Sequence, residues 1–153
     1  MQTPFPPARE LIPHAGRAVL IDGVLDDTDD RIHAVAAITP AHPFFVAGRG
    51  VPSWVGIELM AQAIAAHAGL NGRREQRAPR AGMLLGTRRY RATSAWFSDS
   101  MQLDVFAQRE FGDSGGLAAC ACRIECAGRL LAEASIIIVE MDTVPTLQSG
   151  AAP

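Results

Sequence analysis

The chain has 153 residues, 48 % apolar and 20 % charged, with a net charge of −2. That is one domain's worth of chain with a globular composition, which excludes a disordered protein. The slight net acidity argues against general nucleic-acid affinity, and no apolar run is as long as a membrane helix.

Residues 1–8 and 143–153 are rich in Pro, Thr, Ser, Gly and Ala and read as loose ends around a core of about 11–141. Residues 10–13 have room for one helical turn before His14. Residues 18–25 (AVLIDGVL) are apolar and β-branched and read as a strand. Four acids in residues 26–30 mark a solvated turn. Residues 31–38 alternate Ile32, Ala34, Ala36 and Ile38 onto one face, which makes them the returning strand of a hairpin. Residues 39–52 hold three prolines and two glycines, a long loop of the kind that carries function. Residues 53–70 read as the one long helix, with Ser53 as N-cap and Gly69 and Gly72 at its end. It is apolar nearly all round, broken by Glu58, Gln62 and His67, so it is expected to be buried. Strands follow at 82–93, 101–110, 117–126 and 129–141, the last two joined by a tight turn at Ala127-Gly128. An antiparallel sheet around one central helix, an α+β architecture, explains a helix with no polar face.

Two ionisable residues stand out. His42 lies in the Pro-flanked loop ahead of Phe44 and Phe45, and Glu58 lies on the helix. A buried carboxylate needs a partner, and a His/Glu pair in an apolar cleft is competent for acid–base work. A helix-capping carboxylate and an ordinary loop histidine explain the same residues. Gln62, one turn on, is placed to orient Glu58. His14 reads as a turn-fixing histidine, His33 as solvated, and His67 as stabilised by the helix C-terminus. The four histidines have no zinc spacing, so no metal is expected. Cys120, Cys122 and Cys126 share a strand face and read as small buried hydrophobes. With no secretory signal, three cysteines suggest a reduced, cytoplasmic protein. All 14 basic residues are Arg, and seven lie between Arg73 and Arg91 against the single acid Glu75. That stretch is either a solvated surface or a docking patch for an acidic partner.

Several stretches resemble the dehydratases that act on 3-hydroxyacyl chains held by acyl carrier protein. These are His42-Pro43-Phe44-Phe45, Val51-Pro52-Ser53-Trp54 and the helix from Gly56-Ile57-Glu58 to Gln62-Ala63. Leu11-Ile12-Pro13-His14 and Leu85-Gly86-Thr87-Arg88-Arg89-Tyr90 extend the likeness, which runs from about Leu11 to Met141. The closest likeness is to the dehydratase-like proteins of aryl polyene gene clusters.

The resemblance implies a hotdog fold, a curved antiparallel sheet wrapped around a long central helix, that works as a dimer. It implies elimination of water from a 3-hydroxyacyl thioester to a trans-2-enoyl thioester, in fatty-acid or polyene synthesis. His42 would then remove the α-proton, and Glu58 of the neighbouring subunit would protonate the departing hydroxyl. Ser53 and the N–H groups around it would stabilise the enolate. Phe45, Trp54 and Gln62 would contact substrate, and Arg88, Arg89 and Arg91 would meet the carrier protein. No cofactor is implied beyond the carrier's phosphopantetheine. Two departures from the family pattern are visible: a longer loop between His42 and Glu58, and Ser53 where the family has Gly. Two rival readings stand beside the enzyme. One is a non-catalytic partner subunit of a heterodimeric dehydratase, which the longer loop favours. The other is a hotdog thioesterase, which would release free acid.

Overall fold

The computed structural model describes residues 5–76 and 81–141. The chain starts with a single turn, α1 (Ala8–Leu11), and a 3-10 turn at Gly16–Ala18. Phe5 packs on the core and Ala8 is buried, so residues 5–8 are not the loose end that their composition suggests. The hairpin β1 (Gly23–Asp27) and β2 (Arg31–Ala37) follows, then a short strand β3 (Val51–Pro52). A 3-10 turn (Ser53–Val55) leads into the long helix α2 (Gly56–Arg74). The remaining strands are β4 (Ala81–Ala92), β5 (Trp96–Phe97), β6 (Gln102–Gly112), β7 (Leu117–Cys126) and β8 (Arg129–Met141).

Six strands form one antiparallel sheet in the order β1-β2-β6-β7-β8-β4, and β3 pairs only with β5. The inward faces are those the alternation marks: Ile32, Ala34 and Ala36 on β2, Leu103 and Val105 on β6, Cys120, Cys122 and Ile124 on β7. Against them α2 buries Leu59, Met60, Ala63, Ile64, Ala66 and Leu70. Burial of a side chain the size of Leu59, Met60, Ile64 or Leu70 contributes about 1.5–3 kcal/mol. The β7–β8 turn falls at Ala127-Gly128, both with positive φ, which is the two-residue turn whose twist matches the strands.

Five local readings of the sequence need correction. The strand expected from residue 18 begins only at Gly23. Three backbone groups of residues 18–21 go to Gln62 instead of to a neighbouring strand. The Gln62 amide oxygen accepts from Leu20 N–H at 2.8 Å and Ile21 N–H at 3.3 Å, and its NH2 donates to Ala18 O at 2.7 Å. The acidic segment is not wholly solvated either. Asp27 is the last residue of β1 with a side chain 0 % exposed, 2.6 Å from His67 Nδ1 and paired with Arg74. His67 is held by that pair and by the carbonyl of Asp29, not by the helix end alone. Ser53 makes no side-chain cap, and α2 runs past Gly69 and Gly72 to Arg74. Gly69 serves packing instead: a Cβ there would sit 2.3 Å from Leu11 O, so only glycine lets α1 lie on α2.

Cys120 and Cys122 are buried, and Cys126 packs at the edge of the same core. Burial pushes the Cys120 thiol up to about 11 and the Cys122 thiol higher still, so neither is a thiolate at neutral pH. A thiol titration of the native protein is therefore expected to count at most one fast cysteine, Cys126, and three after denaturation. Fast labelling of two or three in the folded state would contradict this packing.

Candidate active site

Helix α2 is buried against the sheet but not all round. One stripe, Ile57, Glu58, Ala61, Ala65 and Ala68, is only partly covered within the chain. Glu58 follows from that position. It was expected to be buried, yet its side chain is 44 % exposed, because it faces a cleft rather than the sheet.

The cleft measures about 660 Å³ and is walled by Leu20, Pro43, Phe44, Trp54, Val55 and Ile57, with Glu58, His14 and Arg17 as its polar groups. A few convergent polar groups in an apolar wall is the usual form of a small-molecule site. Phe44 and Trp54 meet edge to face at 5.5 Å between centroids, and both are exposed. A second cleft of about 410 Å³ continues along the helix past Ala61, Ala65 and Ala68, and Glu58 and His14 line this one too.

Glu58 is tightly held. Its Oε1 accepts from Gln62 Nε2 at 3.0 Å and lies 3.1 Å from His14 Nε2. The orientation of the Gln62 amide is fixed, because its oxygen is occupied by the N–H groups of Leu20 and Ile21. Gln62 is 0 % exposed, and each of its amide atoms is used within the chain, one bond going to Glu58.

His42 lies elsewhere. It lines a small cleft of about 190 Å³ with Arg17, Leu20, Asp22, Thr39 and Pro43. Phe44 N–H donates to its Nδ1 at 3.1 Å, and its Nε2 is buried without a partner among the described residues. Burial holds this ring below the usual imidazole range, with Asp22 partly offsetting the effect. A neutral ring whose Nδ1 accepts carries its proton on Nε2, which makes that atom a donor. Within one chain His42 and Glu58 line different clefts joined only by Arg17, Leu20 and Pro43.

The other expected site residues divide. Trp54 stands in the cleft wall, 60 % exposed. Phe45 instead packs on the core, and Phe44 takes the cleft position. Ser53 is buried, its N–H donates to Ala95 O at 2.9 Å and its carbonyl accepts from the Tyr90 hydroxyl, so its backbone N–H is not free. That close packing leaves no room at Gly56, where a Cβ would lie 2.4 Å from the Tyr90 oxygen. Burial raises the Tyr90 phenol to about 12, so it remains a donor at neutral pH. Arg88, Arg89 and Arg91 are exposed on β4, where bulges break the regular alternation. Arg73 and Arg74 are instead tied to Glu10 and Asp27, and Arg77 and Arg80 lie outside the described residues. The sequence reading missed His14 as Glu58's companion. No spacing signals it, since the two meet only through the packing of α1 on Gly69.

A curved antiparallel sheet around one long helix, carrying its carboxylate on that helix, defines a hotdog-fold protein. The family model described as ApeP dehydratase matches residues 6–149, and the chain belongs to this ApeP-like family. Among solved structures it is similar to the dehydratase heterocomplex ApeI:P from Xenorhabdus doucetiae. The TM-score is 0.84 at 26 % identity, over 89 % of this chain and 91 % of that one. Thioesterase superfamily member 2 of zebra fish shares the fold, with a TM-score of 0.65 at 14 % identity over 88 % and 92 %. So does a hypothetical thioesterase protein with coenzyme A from Streptococcus pneumoniae, at 0.62 and 10 % over 77 % and 84 %. A search of the curated proteins finds no match. Among the described residues no helix is long and apolar enough to cross a membrane, and no cluster of metal-ligating side chains occurs.

Proposed function

We propose that this dehydratase-family chain eliminates water from 3-hydroxyacyl thioesters on acyl carrier protein, giving trans-2-enoyl thioesters, with His42 and Glu58 as its acid–base pair. The observation that carries this is Glu58, fixed on one oxygen by Gln62 and His14 in the wall of an apolar cleft. That is how a proton-transfer group is preorganised beside an acyl chain.

The site calls for a second chain. His42 and Glu58 line separate clefts in one protomer, and α2 leaves a stripe of small residues open. The edge strand β4 exposes Met83, Leu84 and Leu85 in a row, an apolar edge that invites pairing. A homodimer meets this need, with Glu58 of one protomer facing His42 of the other. The heterocomplex among the similar structures favours a second reading, in which a different dehydratase chain is the partner and this subunit contributes half a site or only stability. Purified chain with a 3-hydroxyacyl carrier-protein substrate tests the two, read by the absorbance of the conjugated enoyl thioester. Product from the chain alone supports the self-sufficient enzyme. Product only after a second dehydratase subunit is added supports the heterodimer. Absence of product in both cases contradicts the dehydration.

Exposed Arg88 and Arg89 suit an acidic carrier protein, where complementary charge speeds encounter. Reversing both to Glu is expected to raise KM for carrier-bound substrate by about tenfold or more, and to leave short thioester analogues unaffected. Equal loss on both substrates would make the patch structural.

A further inference from the structure

Arg17 borders both halves of the proposed site, and nothing so far gives it a role. It lies in the 3-10 turn Gly16–Ala18, which Gly16 opens with a positive φ. The backbone there is fixed. Val19 N–H donates to Gly16 O at 3.2 Å, and Ala18 O accepts from Gln62 Nε2 at 2.7 Å. The side chain is exposed and lines two clefts, the apolar one that holds Glu58 and the small one that holds His42. Asp22, across the small cleft, accepts from Ala37 N–H at 2.6 Å. Among the described residues the Arg17 guanidinium makes no hydrogen bond or ion pair, although the carboxylates of Glu58 and Asp22 each share a cleft with it. A cation with five N–H donors and no partner, set against an apolar wall, is placed for an anion that arrives with the substrate. Because Arg17 is common to both clefts, a guanidinium stands at the site whether one chain or two supply His42 and Glu58.

Resting on the dehydratase reading above, we propose that Arg17 is the anion-binding residue of this site, and that its ligand is the thioester oxygen as negative charge builds there. The reaction calls for such a group. Removal of the α-proton sends its electron pair to that oxygen, and the charge needs a donor already in place. The donor expected from the sequence, the Ser53 N–H, is bound to Ala95 O at 2.9 Å. The step balances without any change at Arg17. The Cα–H bond breaks, and its proton passes to the base of the His42/Glu58 pair. Its electron pair rests on the oxygen facing Arg17, then returns to make the Cα=Cβ bond. The Cβ–O bond breaks with its electrons, and the leaving hydroxyl takes a proton from the acid of the pair and departs as water. Arg17 keeps its protons throughout and acts by charge and hydrogen bonding alone. The apolar walls of the cleft keep that charge from being screened as it would be in water.

The test compares wild type with Arg17→Gln, Arg17→Lys and Arg17→Ala, each alone and paired with a second dehydratase subunit. Arg17 is exposed, so all four are expected to melt at the same temperature. On a short 3-hydroxyacyl thioester, which carries no phosphate, Arg17→Gln is expected to lower kcat by about tenfold to a hundredfold with KM little changed. Arg17→Lys keeps the charge without the planar fork and should fall between. Guanidinium ion added to Arg17→Ala should restore part of the rate, which a merely structural role would not allow. A loss confined to carrier-bound substrate would place Arg17 on the phosphodiester of the pantetheine arm and overturn its place at the thioester. A 3-oxoacyl thioester gives the comparison without turnover, since its enolate absorbs in the near ultraviolet. Binding to wild type is expected to raise the enolate absorbance, and Arg17→Gln to lose that rise. An equal rise in both, or no rise in wild type, overturns the proposal. A rise that depends on Arg17, in a wild type that forms no enoyl product alone or paired, overturns the dehydration and leaves Arg17 as the anion-binding residue.

Discussion

Glu58→Gln is expected to lower turnover by about a thousandfold to ten-thousandfold while leaving the fold intact. The amide keeps the size of the carboxyl and can still accept from His14 and Gln62 on its oxygen, so the contacts that tie residues 18–21 to α2 persist. What it loses is the ability to transfer a proton, and among the described residues no other carboxylate lines the apolar cleft with it. Glu10 and Glu140 lie farther along, in the second cleft. Steady-state turnover together with a thermal melt checks this. A variant that loses tenfold or less with an unchanged melting temperature would remove Glu58 from the chemistry. A variant that loses both would make Glu58 a structural residue.

Asp27→Ala is expected to cost about 2–4 kcal/mol of folding stability, the largest loss from any single polar side chain here. The Asp27 side chain is 0 % exposed and meets His67 Nδ1 at 2.6 Å and the Arg74 guanidinium, so it fastens the end of β1 to the second half of α2. Truncation leaves the buried His67 ring without that partner and Arg74 without its counter-ion. Arg74 is 41 % exposed and regains water, which keeps the loss below that of a fully buried pair. Asp27→Asn retains the size and an acceptor for His67 and should lose about half as much. Urea unfolding at neutral pH measures both. A change under 0.5 kcal/mol for Asp27→Ala would show that water replaces the contact.

The parts of the fold that were legible in the sequence are those set by local signals. Strands β7 and β8 fall at the expected residues because Ala127-Gly128 sets their turn and alternation holds over most of both strands. β2 and β6 are fixed by strict alternation of Ile32, Ala34 and Ala36, and of Leu103, Val105 and Ala107. Glu58 was conspicuous as a carboxylate on an apolar helix, and Gln62 one turn away had to share its face.

What was not legible depends on distant partners. Residues 18–21 have a strand's composition, but Ala18 O and the N–H groups of Leu20 and Ile21 go to the Gln62 amide, 42 positions from Leu20. Asp27 looks solvated among its acidic neighbours, and only the return of α2 brings His67, 40 positions away, against it. His14 reaches Glu58 because Gly69 admits α1 to the helix surface, which no short-range pattern announces. Ser53 looked like a cap, but its N–H is drawn to Ala95, which joins the helix start to the segment leading into β5. Phe44 and Phe45 are indistinguishable as letters, and the turn at His42 decides which one faces the cleft.

The most direct test of the central claim is the mass of the acyl group on carrier protein after incubation with the purified chain. Wild type and Glu58→Gln would be compared, each alone and each with a second dehydratase subunit. The account predicts loss of one water with wild type, alone or paired, and no loss in the matching sample with Glu58→Gln. Release of free acid with regeneration of unloaded carrier would show a thioesterase. Equal loss of water with and without the Glu58 carboxylate would contradict the site assigned here.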